Sequence, residues 1–302
     1  MKQTDFAICL NRFLADYLVN KRGSTPQTID SYRYAFIFLL DYYDEVLHIS
    51  ADRITLSVLT YEHLLNFYDW LQTERKNSVS TRNQRQAAIN SFIHFLMYER
   101  PDYLNEYQRI LGIPVKKAPQ KEISYLKTDG VSALISCVDT HKMNGLRDYV
   151  ILMILYTTGI RVSELQYITV EAVKNGEAIV SLKGKTRSVF IVKELKKKLL
   201  RYAAEQGITS GAIFITRTGK PMSRTNIWRE MKSLCESAGV NPQKVFPHNL
   251  RHLFARVFYG IEKDIAKLAD ILGHSSINTT RIYIISTGNE HRRRMEHMRL
   301  II

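Results

Sequence analysis

Cysteine is scarce in this chain. Its 302 residues include three, Cys9, Cys137 and Cys235, an odd and widely spaced set that excludes a disulfide framework and suits a reducing compartment. Long apolar runs are missing too: the longest, residues 149–156, is eight residues, whereas crossing a bilayer takes about 20. The N-terminus has no basic stretch leading into an apolar one, so no secretory signal is read there. With 14 Gly and 7 Pro in a 45% hydrophobic chain, the polar or Pro/Gly excess of a disordered protein is absent as well. Nor is there a carboxylate cluster, a Cys/His quartet with zinc spacing or a Gly-rich nucleotide loop, and neither metal nor cofactor is expected. These absences leave a cytoplasmic protein without membrane spans, long enough for two domains.

What the chain has in excess is positive charge. It carries 43 Lys+Arg against 29 Asp+Glu, a net +14, which makes a polyanion the first partner to consider. Residues 1–113 hold 12 basic and 13 acidic side chains, so the remaining 31 and 16 place the whole surplus after residue 113.

The periodicity predicts a mainly helical fold with a small β-sheet. Apolar spacings of three and four pass through Phe6, Leu10, Phe13, Leu14 and Leu18, and mark a first helix. Thr25 as cap with Pro26 at the first helical position opens a second, through Ile29, Tyr32, Phe36, Leu39 and Tyr43. Two more, over 61–71 and 88–98, complete a four-helix bundle. Between residues 100 and 119 the period fails at Pro101, Gly112, Pro114 and Pro119. The expected division is a helical domain over 1–112, a linker over 113–120 and a second domain over 121–302. In the second, β-like runs at 178–182 and 188–192 flank Lys183-Gly184-Lys185-Thr186-Arg187, a basic hairpin turn.

Five places combine basic, imidazole or phenolic groups with turns or helix starts, where side chains and backbone donors face an anion together. Arg161 follows a Gly159 terminator in Thr-Gly-Ile-Arg-Val-Ser-Glu-Leu. Lys183 and Lys185 sit in the hairpin turn. His248 and Arg251 stand at i and i+3 in Pro-His-Asn-Leu-Arg-His, on one helix face. His274 occupies a bend in Leu-Gly-His-Ser-Ser, and Tyr283 lies nine residues further on. Each alone has an ordinary structural explanation; the five in this order do not.

In that order the segments resemble the tyrosine recombinase (phage integrase) family, which includes Xer-type resolvases and mobile-element integrases. The resemblance implies a SAM-like four-helix core-binding bundle followed by an α/β catalytic domain of the DNA breaking-rejoining fold. It implies a site-specific DNA recombinase that cuts and rejoins DNA through a 3′-phosphotyrosine intermediate and a Holliday junction, in integration, excision or resolution. Carried over by position, Arg161 and Arg251 clamp the scissile phosphate, His248 and His274 assist, Tyr283 is the nucleophile and Lys183 protonates the departing oxygen. The turn is one residue shorter than the family's, which leaves Lys185 as the alternative acid. A phenol, with an ordinary pKa of about 10, leaves more readily than an alkoxide and keeps religation easy. Two guanidiniums supply the charge a metal would otherwise bring. Arg75, Lys76, Arg82 and Arg85 in the bundle, with Lys185 and Arg187 in the hairpin, are the expected DNA contacts. The partners implied are double-stranded DNA and a homotetramer, with a related recombinase as a possible second subunit and the apolar C-terminal tail docking on a neighbour. A type IB topoisomerase and a non-enzymatic architectural DNA-binding protein are the competing readings; only the second dispenses with Tyr283.

Overall fold

The computed structural model describes residues 3–119, 126–182, 185–274 and 276–284, without the side chains of Met143, Leu182, Lys185 and Ile284. The chain divides into two compact units, Met1–Lys121 and Glu122–Ile302. Among the described residues no helix is long and apolar enough to cross a membrane.

The first unit contains α1 (Asp5–Arg12), which continues as a π-helical stretch over Phe13–Lys21, then α2 (Pro26–Glu45), α3 (Tyr61–Thr73), α4 (Val79–Glu99) and α5 (Leu104–Leu111). Side-chain oxygens of Thr25, Thr60 and Ser78 accept from the backbone N–H three residues on, and so cap α2, α3 and α4. In the π-helical stretch Phe13 and Leu18, five residues apart, are both fully buried, and the wider turn keeps them on one face. α5 is an addition to the four expected helices. It lies where the helical period fails, because only Tyr107 and Ile110 of its eight residues are buried, too few to register as a repeat. Its core is aromatic: Phe6, Phe13, Phe36, Tyr42, Phe67 and Phe92 are almost wholly enclosed.

The second unit contains α6 (Thr128–Ser136), α7 (Met143–Thr158), a 3-10 turn over Val162–Tyr167, α8 (Val170–Asn175), strands β1 (Glu177–Leu182) and β2 (Lys185–Phe190), α9 (Lys193–Glu205), α10 (Arg224–Ser237), α11 (Pro247–Glu262), α12 (Ile265–Leu272) and α13 (Ile277–Ile284). β1 and β2 form a two-stranded antiparallel sheet running from Glu177↔Phe190 to Leu182↔Lys185. Burial is heaviest on α7, where Val150, Ile151, Leu152, Ile154 and Leu155 all lie in the core. Gly159 stops α7 in the left-handed conformation, φ 60°, and a Cβ there would meet Phe254 Cδ1 at 2.4 Å. Only glycine satisfies both conditions. The chain therefore turns sharply into Arg161 beside α11.

Candidate active site

Four elements of the second unit converge: the turn after α7, β2, α11, and the α12–α13 corner. Arg161 caps the 3-10 turn. Its backbone N–H donates to Glu164 Oε2 at 2.8 Å, its Nη1 pairs with Glu164 Oε1 at 2.8 Å, and its Nη2 donates to Gly273 O at 3.2 Å. Glu164 is 1% exposed and is shared with Arg187, whose Nη2 lies 2.5 Å from Oε2. Burial would raise the Glu164 carboxyl, but hydrogen bonds and charge from Arg187 and Arg161 outweigh it, and its pKa falls below the ordinary value.

Arg251 is 2% exposed. Its Nη1 donates to Gly159 O and its Nη2 to Leu272 O, both at 2.5 Å, and Nη2 also faces His274 Nε2 at 3.0 Å. The two carbonyls belong to residues next to helix ends, where backbone oxygens lack helical partners. Burial, and then the charge of Arg161, lower the Arg251 pKa to about 10, so it stays cationic at neutral pH. Three guanidiniums against one carboxylate leave an excess of positive charge in a mostly enclosed place.

The phenol of Tyr283 completes the group. Tyr283 is 5% exposed, its hydroxyl is 3.5 Å from His248 Nε2, and its ring lies 4.0 Å from the His252 ring and 5.3 Å from that of His274, centroid to centroid. His274 Nδ1 is 2.8 Å from Thr280 Oγ1. Gly273, at φ 63°, ends α12 and aims His274 inward; a Cβ there would meet Arg187 Cδ at 2.3 Å. Beside these groups opens a cleft of about 570 Å³, bounded by Arg161, Val162, Phe246, His248 and Arg251 and by Arg224 and Trp228 of α10.

Arg161, His248, Arg251, His274 and Tyr283, separated by up to 122 positions in the chain, are thus brought together. Lys183 lies outside the described residues, as do the side chain of Lys185 and the C-terminal tail from residue 285. The expected DNA contacts divide. Arg187 turns inward, 10% exposed, onto Glu164 and Ile271 O, so its guanidinium joins the cluster around Glu164. Arg82 also lies inward. It is 1% exposed, lies over the Tyr68 ring at 4.7 Å and donates to Gln86 Oε1 and Pro114 O, which fixes α4 to the chain beyond α5. Arg75 packs on Trp70 and pairs with Glu45, Arg85 lies over Phe38 and donates to Asn77, and Lys76 is exposed. Glu164, Thr280, Arg224 and Trp228 also stand at the site or along its cleft, with no local signal in the sequence that marks them.

The imidazoles have a common electrostatic fate. Burial first, then nearby positive charge, lowers the pKa of His248, that of His274 to about 4 and that of His252 to about 3. The unfolded chain thus binds more protons than the fold as pH drops below about 6.5, and stability falls from there towards pH 4 and 3. Asp148 works the other way: burial raises its carboxyl to about 6, so the fold holds the extra proton and gains stability below that pH. Two strongly shifted histidines outweigh one aspartate. Urea unfolding of the second unit is expected to lose roughly 3 kcal/mol between pH 7 and pH 4.5; a flat or rising stability over that range would contradict the arrangement.

A family model for the phage integrase family matches residues 124–290. A tyrosine recombinase XerC of Herpetosiphon aurantiacus is 32% identical, over 91% of this chain and 89% of its own, and a putative integrase/recombinase of Sinorhizobium fredii is 28% identical over 95% and 89%. In fold, the chain is similar to the XerH site-specific recombinase bound to palindromic difH substrate, with TM-score 0.72 and 20% identity over 95% of this chain and 86% of that one. It is likewise similar to the Tn1549 transposon integrase in complex with transposon right end DNA, with TM-score 0.72 and 16% identity over 96% and 98%. The match to more than half the chain, together with a relative similar along nearly all of it, shows that this chain belongs to the phage integrase family of tyrosine recombinases, DNA-binding enzymes of site-specific recombination that cut and rejoin DNA strands.

Proposed function

We propose that Arg161 and Arg251 receive the scissile phosphodiester and that Tyr283 attacks its phosphorus. The phenolic oxygen forms a bond to phosphorus as the bond to the 5′-oxygen of the next nucleotide breaks, which leaves a 3′-phosphotyrosine and a free 5′-hydroxyl. His248 takes up or shares the phenol proton. His274 donates to a non-bridging oxygen, and Lys183, or in its place Lys185, gives the departing oxygen its proton. The attack by a 5′-hydroxyl of the partner duplex reverses the step and rejoins the strand. The guanidiniums matter most as negative charge moves onto the outer oxygens, because both are already oriented by the protein's own acceptors and that of Arg251 is buried. The observation that supports this reading best is the 3.5 Å approach of the Tyr283 hydroxyl to His248 within the same cluster that holds Arg251.

The assembly that fits this chemistry is a homotetramer on two duplexes, or one with a related recombinase as second subunit, which exchanges strands pairwise through a Holliday junction in the cytoplasm. Lys76 remains a candidate phosphate contact, with Arg75 and Arg85 partly engaged beside it. The test is a nicked half-site, from which the short cut product diffuses away and strands the intermediate. Denaturing gels are expected to show a covalent protein–DNA band that persists in EDTA, with peptide mass placing a 3′-phosphate-linked oligonucleotide on Tyr283. Cleavage without an adduct, an adduct elsewhere, or loss of the band on chelation would overturn the proposal.

A further inference from the structure

Thr280 has no part in the chemistry just described, yet it is fully buried on α13, one helical turn before Tyr283, with its hydroxyl 2.8 Å from His274 Nδ1. We propose that Thr280 is a positioning residue that lets His274 change tautomer, so that the same imidazole accepts from Arg251 in the free enzyme and donates to phosphate when DNA is bound. The proposal rests on the assignment of His274 to the scissile phosphate.

The lone pairs decide which tautomer is present. A guanidinium only donates, so the 3.0 Å contact from Arg251 Nη2 requires an unprotonated Nε2 on His274. The ring proton of the neutral imidazole is then on Nδ1 and is donated to Thr280 Oγ1. A phosphate oxygen only accepts. To donate to it, His274 must carry a proton on Nε2, either as the imidazolium or as the other neutral tautomer. The imidazolium takes one proton from water on Nε2 and keeps Nδ1–H on Thr280 as acceptor; the tautomer takes a proton from water on Nε2 and returns the Nδ1 proton to water before DNA closes over the ring, which turns Nδ1 into an acceptor and needs the Thr280 O–H as donor. A hydroxyl serves both states, and at 0% exposure no solvent molecule stands in for it.

The groups around the ring bear on which route is used. Arg251 and His248 on α11, Arg161 after α7 and Arg187 on β2 all oppose a second proton, and burial opposes it more strongly. Tyr283 on α13 stacks on the ring at 19° between planes and supplies no charge of its own while protonated. In the free protein these surroundings keep the ring neutral, and of the two routes to a proton on Nε2 the neutral one is the one that needs a donor at Nδ1. Thr280 also ties His274 to the helix of the nucleophile, so the two groups that must meet one phosphate share one rigid element.

The test compares Thr280→Val, which keeps the shape, with Thr280→Ser, which keeps the hydroxyl. On a nicked half-site in single turnover, Thr280→Val is expected to cleave about 10- to 100-fold more slowly, as befits a buried nitrogen left without a partner, while half-site affinity is unchanged and Thr280→Ser stays within about threefold of the parent. Nitrogen-15 shifts of His274 supply a readout that packing alone would not move: a proton on Nδ1 only in the free protein, and a proton on Nε2 with Nδ1 bare when the uncleaving Tyr283→Phe protein is bound to the half-site. Parental rates in Thr280→Val, no rescue in Thr280→Ser, or either an unprotonated Nε2 or a doubly protonated ring in the complex would each overturn the proposal. Should the parent form no Tyr283 adduct at all, it is the functional reading that fails, whereas the Nδ1–H tautomer of the free protein is still expected.

Discussion

Replacing Tyr283 by Phe is expected to abolish the covalent DNA adduct, a loss of at least about 10⁴-fold, while half-site binding stays within about twofold. The substitution removes one atom. The Phe ring retains the place between His252 and His274, with the 4.0 and 5.3 Å centroid contacts intact, so the local packing that orders α13 against α11 survives. What disappears is the hydroxyl at 3.5 Å from His248, a long contact whose loss alters stability by no more than about 1 kcal/mol. The measurement pairs a denaturing adduct gel with a native mobility shift on the same half-site. Residual adduct in Tyr283→Phe would mean that another nucleophile carries the chain's strand cleavage.

The site and the fold were legible to different depths, for reasons that can be located. Arg161 is readable because Gly159 announces the helix end before it; His248 and Arg251 because their spacing puts them on one face; His274 because a Gly precedes it at a bend. Glu164 sits inside the same segment as Arg161, yet its role depends on Arg187, 23 residues away, and on Gly273 O bonded to the same Arg161, 112 residues away. Thr279 and Thr280 look alike in the chain, and only the phase of α13 against His274 separates an exposed hydroxyl from a buried one. Arg82 looks like a surface cation among Arg75, Lys76 and Arg85. Its burial is decided by Tyr68 and by the carbonyl of Pro114, 32 residues away. Hydrophobic period found α2 and α3, but two buried side chains in α5 gave it too little to repeat.

The second large effect separates the two arginines, which a charge-only view treats as equal. Arg251→Lys is expected to slow cleavage by about 10²- to 10³-fold and to lower the stability of the second unit by about 1–3 kcal/mol. Its guanidinium spans Gly159 O, Leu272 O and His274 Nε2 at once, and so joins the end of α7 to the corner beyond α12. An ammonium is a single point that reaches one of these carbonyls and leaves the other buried without a donor. Arg161→Lys, by contrast, alters a side chain that is 38% exposed, keeps a positive charge beside Glu164 and leaves Arg187 paired with that buried carboxylate; it should slow cleavage and lower the unfolding midpoint less than Arg251→Lys does. Single-turnover cleavage and urea unfolding on both variants give the four numbers needed. If the two lysine variants lose activity and stability in equal proportion, Arg251 is no more than a second positive charge. If only Arg251→Lys unfolds early, one side chain both braces the α7 and α12 ends and holds the charge that the proposed reaction places on the phosphate.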